Sequence, residues 1–421
     1  MVNRHLILPN LVLSNKIISI KEIMQYLIKS PAFQTSLFFK KIALTFAVLS
    51  TAAISNTVQA AQIPPPPPLA VKAYVLKDFN SHMIVAEQNG SGKVEPASLT
   101  KLMTAYVVFG ALKNGHLQLT QTLPVSEKAW KIEGSKMFIE PNKPVIVDDL
   151  LHGMIIQSGN DASITLAEGV ASTEDLFAGL MNKEAARLGM LNTHFMNATG
   201  LPDPQHYTTA HDLSLIATAL IQDFPAEYKR LYSIKEYTYN NITQPNRNRL
   251  LWADPTVDGM KTGHTESAGF CLISSAKRGE AGQEHRFISV VLGAPNDSAR
   301  ATESQKLLNF GFQFYDATLV YKQAQAINTA KVWKGQSNTV NATVTDDLYL
   351  TLPKGEYARV KATITSQQPL IAPIAKGQVI GKINFTLDNK VIASRNLVAA
   401  QEVAIAGFFG RLWDSFKLLF Q

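Results

Sequence analysis

Three short strings in the sequence carry side chains that could together perform acyl transfer. They are Ser98-Leu-Thr-Lys101, Ser158-Gly-Asn160 and Lys261-Thr-Gly263, in that order and well separated. In the first string, a serine and a lysine three residues apart lie one helical turn apart on the same face, so the lysine amine can take the serine proton. Ser98 is therefore a candidate nucleophile and Lys101 its candidate base.

This pair can work only if its surroundings lower the pKa of the lysine amine. A serine hydroxyl without help is a poor nucleophile near neutral pH, and Lys101 can accept its proton only while the amine is uncharged. Burial and nearby positive charge both favour the neutral amine. Pro96, two residues before Ser98, is a typical helix start, so we expect Ser98 near the positive end of a helix dipole.

The second string lies between two apolar helical segments, which predicts a loop tip. Its hydroxyl and amide could point into one cleft. Ser158 could relay a proton between Lys101 and a leaving amine, and Asn160 could hold either Lys101 or a substrate amide. Taken alone, the string is far more typical of a simple glycine turn with polar flanks.

The third string precedes an apolar strand, and its residue types suit an anionic ligand. Gly263 would let a ligand approach the backbone, Lys261 would add positive charge, and Thr262 would donate its hydroxyl to a carboxylate. A substrate peptide could add along the edge of this strand. The backbone N–H groups of Ser98 and His264 would then form the oxyanion hole.

Composition indicates a globular protein and argues against a nucleic-acid partner. The chain has 421 residues, of which 46% are hydrophobic and 17% charged, enough for two or three domains. Its net charge of +7 is concentrated in residues 1–60, which hold six basic residues and one acid and leave 34 basic and 32 acidic residues in the remainder. One cysteine, Cys271, excludes an intramolecular disulfide and is expected to fill the core.

The N-terminal residues predict export. Lys40-Lys41 is followed by an apolar run over residues 42–54 and then by Val58-Gln-Ala60, the order of a secretory signal. We expect residues 1–60 to be a signal peptide cleaved after Ala60; a start at Met24 would give it a more ordinary length. A retained membrane span is the alternative, but the apolar run is shorter than the roughly 20 residues that a span needs.

The body of the chain divides into a linker and an α+β domain. A run of five prolines, Pro64 to Pro68, predicts a stiff spacer, so residues 61–67 are expected to be a linker. Residues 68–317 are expected to form the catalytic domain. Strands at both ends of this region, with helices between them, predict a sheet that joins the start of the domain to its end. The predicted helices are 101–113, 148–157, 162–168, 173–188, 211–222, with Thr208 or Thr209 as its cap, and 301–315.

Two further segments follow. Residues 318–403 are rich in Val, Ile, Thr and Gly with strand-like alternation, which predicts a small all-β domain. Residues 404–421 predict a short amphipathic helix, which could lie in a membrane interface or dock on the β domain. Seven large apolar residues share one face of it: Phe408, Phe409, Leu412, Trp413, Phe416, Leu419 and Phe420.

Beyond these strings, the chain resembles the low-molecular-mass penicillin-binding proteins of the D-alanyl-D-alanine carboxypeptidase family. The resemblance implies an α+β domain like those of serine β-lactamases and penicillin-binding transpeptidases, then a small all-β sandwich domain and a C-terminal amphipathic membrane anchor. It covers nearly everything after the predicted signal. The residues that carry it include Gln157-Ser-Gly-Asn-Asp161, Thr199-Gly-Leu201, Asp258-Gly-Met-Lys-Thr-Gly-His-Thr265, Leu307-Leu-Asn-Phe-Gly-Phe312 and Gly407-Phe-Phe-Gly410.

The resemblance implies a substrate and a location. The substrate would be the pentapeptide stem of peptidoglycan ending in D-Ala-D-Ala, from which the enzyme releases the last D-Ala. β-Lactams would acylate the same serine, and neither a metal nor another cofactor would take part. The enzyme would lie at the periplasmic face of the bacterial inner membrane, held by its C-terminal helix.

The resemblance also assigns roles to residues. Ser98 would form the acyl-enzyme, and Lys101 would be the base for acylation and would activate the deacylating water. The terminal carboxylate would be held by Lys261, Thr262 and Arg300. Other positions complete the set: Ser158 and Asn160 in the proton relay, His206 and Asp212 on a loop bordering the cleft, and Ser163 where some relatives carry cysteine.

Three other functions deserve comparison. A serine β-lactamase shares the strings, but the E-x-x-L-N setting of the class A deacylating glutamate does not occur after Ser158. A penicillin-binding scaffold or cell-shape factor with incidental turnover would also fit, although Ser98 and Lys101 are both intact. A zinc peptidase fits poorly, because H-E-x-x-H is absent and His206 with His211 lacks a third ligand nearby in sequence.

Overall fold

A computed structural model of the protein describes residues 63–280 and 284–420. The predicted signal peptide, residues 1–60, lies outside the described residues. The proline run, Pro64 to Pro68, lies in a segment without regular secondary structure that leads to the first strand. No helix in these two ranges has both the length and the apolar character needed to cross a membrane.

The first domain alternates between strands and helices. A 3-10 turn, Ala97–Thr100, leads directly into its first helix. In chain order its elements are β1 (Ala73–Asp78), β2 (Ile84–Gln88), α1 (Lys101–Lys113), β3 (Thr122–Leu123), α2 (Glu127–Lys131), β4 (Val145–Ile146), α3 (Val147–Ile156), α4 (Asn160–Ala171), α5 (Glu174–Arg187), α6 (Ala210–Asp223), α7 (Pro225–Leu231), β5 (Glu236–Tyr239), β6 (Ile242–Pro245), α8 (Leu250–Ala253), β7 (Val257–Thr265), β8 (Gly269–Arg278), β9 (His285–Ala294) and α9 (Asp297–Phe314).

A five-stranded antiparallel sheet organises this domain, in the order β2-β1-β9-β8-β7. β1 pairs with β9, with Ala73 opposite Leu292, so the start and the end of the domain meet in one sheet as predicted. α9 covers one face of the sheet, where Leu307 and Leu308 are buried. β7 is the edge strand, and its outer side faces the 3-10 turn before α1.

α1 lies at the centre of the helical part, and it is apolar on all sides because it is enclosed on all sides. It contacts α3, α4, α5 and α6. Leu102, Met103 and Phe109 are among its buried residues. This position explains how its first residue, Lys101, comes to be buried.

The second part of the described chain is the predicted β domain followed by a helix. β10 pairs with β13, and the other strands form one sheet in the order β14-β16-β17-β12-β11-β15. A single apolar core that includes Val332, Leu350 and Phe385 joins the two sheets. The elements are β10 (Tyr315–Tyr321), β11 (Asn328–Trp333), β12 (Thr339–Thr343), β13 (Leu348–Pro353), β14 (Lys361–Ser366), β15 (Leu370–Ile371), β16 (Val379–Leu387), β17 (Lys390–Ala399) and α10 (Phe408–Leu418).

Sequence and structure differ mainly at helix ends. α9 starts at Asp297 and not at 301, because Asn296 caps it by accepting from the Ala299 N–H at 2.8 Å. The first turn of this helix is polar, so the apolar periodicity from which the helix was predicted begins only after it. α6 is capped by Thr209, one of the two predicted caps. Asn160 begins α4 and is not part of a loop tip; the break between α3 and α4 is shorter than predicted.

Candidate active site

Ser98 and Lys101 are held by the 3-10 turn and the start of α1. In a 3-10 turn, residues three apart project in the same direction. Lys101 Nζ lies 3.2 Å from Ser98 Oγ, within hydrogen-bonding distance. The proposed nucleophile and its proposed base are therefore in contact before any substrate binds.

Lys101 is fully buried and makes two further hydrogen bonds. Its Nζ donates to Asn160 Oδ1 at 2.7 Å and to the Thr199 carbonyl at 2.6 Å. Burial, and next the positive charge of Arg247, lower the pKa of Lys101 from 10.5 to about 7. A substantial fraction of the molecules then carry a neutral amine at neutral pH, as a base requires.

Two buried carboxylates limit this pKa shift and also shape the site. Asp161 and Glu174 both favour the charged form of Lys101. Asp161 accepts from the backbone N–H groups of Met137 and Phe138, each at 2.9 Å, and so ties that segment to the start of α4. Glu174 accepts from the Ala198 N–H at 2.9 Å and so fixes the loop whose Thr199 carbonyl accepts from Lys101.

The backbone around Ser98 leaves no room for a side chain at Gly200. A Cβ added to Gly200 would lie 1.8 Å from the Ala97 carbonyl oxygen, and the φ of Gly200 is +86°. Both observations require glycine at this position. The Thr199-Gly-Leu201 string, noted in the sequence only for its resemblance, therefore supports the turn that carries Ser98.

Ser158 and Asn160 approach the same centre from the junction of α3 and α4. Ser158 adopts a left-handed conformation with φ 65°. Its Oγ accepts from Lys261 Nζ at 2.8 Å. Asn160 faces Lys101 with its oxygen, while its Nδ2 donates to the Glu133 carbonyl at 2.7 Å, which fixes the orientation of the amide. The second string thus connects the two lysines.

The third string lies on edge strand β7, close against the 3-10 turn. A Cβ at Gly263 would lie 3.2 Å from Leu99 Cγ and 3.3 Å from the Leu99 backbone nitrogen, so glycine allows this approach. Lys261 is buried, and its pKa is well below its ordinary value because of burial and, next, the charge of Lys101. Thr262 is also buried.

His264 and Arg300 complete the set of predicted residues. The side chain of His264 is exposed and packs on Phe270, with ring centroids 3.9 Å apart. Arg300, on α9, donates to the Gly263 carbonyl at 3.2 Å and forms an ion pair with Asp297. Its guanidinium is therefore anchored beside the third string, although the two segments are far apart in sequence.

Sequence reasoning missed Arg247. Its charge lowers the pKa of both Lys101 and Lys261, which places the guanidinium near both amines. Arg247 is exposed in a polar stretch between two asparagines that are themselves buried. Asn248 Nδ2 donates to the Gly259 carbonyl at 3.0 Å, which ties this stretch to β7. An exposed arginine in a polar stretch gives a weak sequence signal, which explains the omission.

His206 lies beside the turn that carries Ser98. It is buried, and its Nε2 forms a 2.8 Å hydrogen bond with Thr100 Oγ1. Burial lowers its pKa to about 4, so the ring is neutral at physiological pH. Asp212 accepts from the Asn192 N–H at 2.8 Å, and Ser163 Oγ donates to the Gly159 carbonyl at 2.7 Å. These three side chains support the scaffold around the site.

Two family models match this chain. The model described as D-alanyl-D-alanine carboxypeptidase matches residues 58–296, and the model described as penicillin-binding protein 5, C-terminal domain, matches residues 315–404. The first match includes all the candidate site residues except Arg300, which lies on α9, and the second covers the β domain.

Several characterised proteins are similar over most of their length. D-alanyl-D-alanine carboxypeptidase DacC of Escherichia coli is 43% identical over 387 residues, which cover 90% of this chain and 94% of that protein. Penicillin-binding protein 5 of Haemophilus influenzae has a solved structure that is 42% identical, with a TM-score of 0.77, covering 81% of this chain and 99% of that one. Penicillin-binding protein D2 of Listeria monocytogenes, in an ampicillin-bound form, is 31% identical with a TM-score of 0.54, covering 59% of this chain and 100% of that one.

Proposed function

The chain belongs to the D-alanyl-D-alanine carboxypeptidase family, and we propose that it works through an acyl-enzyme formed on Ser98. It is a serine-type D-alanyl-D-alanine carboxypeptidase of the penicillin-binding protein 5 type. The choice of nucleophile rests on the distance of 3.2 Å between Ser98 Oγ and Lys101 Nζ. This lysine amine is buried and has a pKa of about 7.

In the acylation step, neutral Lys101 takes the hydroxyl proton of Ser98 as Oγ bonds to the carbonyl carbon of the penultimate D-Ala. With a pKa of about 7, about half of the enzyme holds the neutral amine at pH 7. The developing oxyanion is stabilised by the backbone N–H groups of Ser98 and His264. The close approach of β7 to the 3-10 turn, seen at Gly263, supports this pairing.

The scissile C–N bond then breaks, and the departing D-Ala amine needs a proton. The proton that Lys101 took reaches this amine through Ser158, whose Oγ already accepts from Lys261 Nζ at 2.8 Å. Asn160 keeps Lys101 aligned through the 2.7 Å hydrogen bond to its Oδ1. In deacylation, Lys101 removes a proton from water as the water oxygen attacks the ester, and Ser98 Oγ leaves with that proton.

The terminal carboxylate of the substrate is expected to bind beside Lys261, Thr262, Gly263 and Arg300. Arg300 lies near this position because its guanidinium already donates to the Gly263 carbonyl. Arg300→Gln should therefore lower kcat/KM by about tenfold or more for a peptide acid. The same substitution should leave a peptide ending in a carboxamide unaffected. Equal losses with both peptides would count against a carboxylate-binding role.

The natural substrate is proposed to be the pentapeptide stem of peptidoglycan, with β-lactams acylating the same serine. Similarity to a penicillin-binding protein solved in an ampicillin-bound form supports the second part. The roles of the site residues need neither a metal nor another cofactor.

The main experiment measures D-Ala release from a diacyl-L-Lys-D-Ala-D-Ala peptide. The parent should release D-Ala, and Ser98→Ala should not. Ser91→Ala, an exposed serine in the same domain, is the matched control and should behave like the parent. Mass spectrometry should find a β-lactam adduct on Ser98. Release by Ser98→Ala would refute the choice of nucleophile, and penicillin turnover without peptide cleavage would indicate a β-lactamase.

We further propose that α10 attaches the protein to the periplasmic face of the inner membrane. All seven apolar residues predicted for its interfacial face are more than half exposed, from 54% at Phe416 to 84% at Phe409. Deleting residues 408–421 should release the protein from membranes and leave cleavage of soluble peptide intact. Loss of both would count against the anchor. Export would be supported if the N-terminus of protein recovered from the periplasm were Ala61.

A further inference from the structure

We propose that a cavity between the β11–β12 hairpin and α10 binds the headgroup phosphate of an anionic phospholipid. The inference rests on the membrane attachment proposed above and adds a lipid preference to it. The cavity has a volume of about 580 Å³. Two lysines and two tryptophans are among its lining residues: Lys331, Trp333, Trp413 and Lys417.

The cavity carries a net positive charge, because two lysines and one carboxylate are among its lining residues. Lys331 Nζ lies 3.7 Å from the centroid of the Trp333 ring, and Lys417 Nζ lies 5.2 Å from that of Trp413. In the described part of the chain, neither ammonium forms an ion pair with a carboxylate. The carboxylate of Asp414, which also lines the cavity, accepts from the Lys334 N–H at 2.6 Å. Two ammonium groups are thus available for an anion.

The hairpin and the helix are tied together, so the cavity exists before any membrane is present. Asp414 connects the helix to Lys334 just after β11. The Ala406 N–H donates to the Lys334 carbonyl at 2.8 Å, and Gly335 forms a β-bridge with Ile405. These contacts lie at both the start and the middle of the helical segment, so Lys417 is held near the hairpin that carries Lys331.

The apolar face of α10 sets the depth of the cavity in a bilayer. Phe409, Leu419 and Phe420 are 77–84% exposed and would enter the boundary between headgroups and acyl chains. Tryptophan prefers this boundary, and Trp413, which borders the cavity, is 59% exposed. The two lysines would then lie at the level of the lipid phosphates. Charge complementarity therefore selects an anionic lipid, such as phosphatidylglycerol, over a zwitterionic one.

The experiment measures binding of the full chain to sedimenting vesicles of phosphatidylcholine alone or with about 30% phosphatidylglycerol. A basic residue near a membrane surface strengthens binding to anionic lipid by about fivefold. Lys331→Gln and Lys417→Gln should each weaken binding to the mixed vesicles by about that factor and leave binding to phosphatidylcholine unchanged. Lys361→Gln is the matched control, because β14 is at the opposite edge of the sheet from the cavity.

Each outcome has a distinct meaning. Equal weakening by Lys361→Gln would show a general charge effect and overturn the site, as would parent-like binding by both cavity variants. Competition by millimolar inorganic phosphate at constant ionic strength would show that the cavity takes free phosphate and would overturn the membrane assignment. If the chain lacking residues 408–421 bound both vesicles as the parent does, the anchor itself would fail. D-Ala release should stay unchanged in all lysine variants and reports that they are folded.

Discussion

Replacing Asn160 with aspartate should raise the pH at which Lys101 becomes an effective base. Asn160 Oδ1 accepts from Lys101 Nζ at 2.7 Å, and both residues are buried. In Asn160→Asp the acceptor gains a full negative charge, which favours the ammonium form of the lysine. The pKa of Lys101, about 7 in the parent, should therefore rise.

The size of the effect follows from the distance and the burial. An opposite charge within 4–6 Å shifts a pKa by about 1–3 units. At pH 7 the neutral fraction of Lys101 would fall from about one half to between about one tenth and one thousandth. Acylation should slow by about fivefold to several hundredfold at pH 7, and this part of the loss should disappear above the new midpoint. The plateau should also be lower, because aspartate cannot donate to the Glu133 carbonyl as Asn160 does.

The assay is the single-turnover rate of acylation by a fluorescent penicillin, followed from pH 5 to 10. It isolates the step in which Lys101 acts, and its midpoint is independent of the plateau. Asn160→Ala is the matched control, since it removes the same hydrogen bonds without adding charge. Its midpoint should lie at or below that of the parent. If the aspartate variant kept the midpoint of the parent, Lys101 could not be the group whose deprotonation limits acylation.

Three further substitutions test packing and titration, with chemical denaturation as the measurement. Gly200→Ala should lower the free energy of unfolding by more than about 2 kcal/mol, because the new Cβ would lie 1.8 Å from a carbonyl oxygen. The control is Gly189→Ala, which has a φ of +78° but nothing within 4 Å of its Cβ, and it should lower that free energy by about 1 kcal/mol. Equal losses in the two variants would refute the clash. His206→Gln should remove a loss of stability between pH 6.5 and about 4, where only the unfolded state binds that proton; an unchanged acid limb would contradict the low pKa. Lys101→Met should weaken the rise in stability between pH 7 and 10.5, where the unfolded lysine holds a proton that the folded one has lost; an unchanged slope would argue that Lys101 is charged in the fold.

The sequence was most informative where local spacing determines local structure. The three-residue spacing of Ser98 and Lys101 gave their contact, and the apolar composition of residues 101–113 gave a central helix with the same bounds. The alternation in residues 318–403 gave the β domain. These features depend on neighbours in the chain, which a sequence displays directly.

Features that depend on distant segments were harder to obtain. The contact between Arg300 and the Gly263 carbonyl joins residues 37 positions apart and could be anticipated only through the family resemblance. Arg247 lowers the pKa of Lys101 through its charge and lies in a polar stretch without periodicity. The Thr199 carbonyl that accepts from Lys101 is a backbone atom, to which residue type gives no clue. The hydrogen bond of His206 could not be foreseen from the sequence, because its partner, Thr100, is 106 positions away.

The arrangement of cations explains why a site of this kind recognises an anionic substrate. Lys101, Lys261 and Arg300 are buried close together, and Arg247 adds its charge to them. Among the described residues, Arg300 pairs with Asp297, while no carboxylate forms an ion pair with either lysine. Burial, followed by repulsion from neighbouring cations, destabilises the ammonium forms and favours a neutral Lys101 amine near pH 7. The guanidinium groups of Arg300 and Arg247 keep their charge at this pH, and that charge is complementary to a terminal carboxylate. We therefore propose that burying these basic groups together both favours the activation of Ser98 and selects a peptide that ends in a free acid.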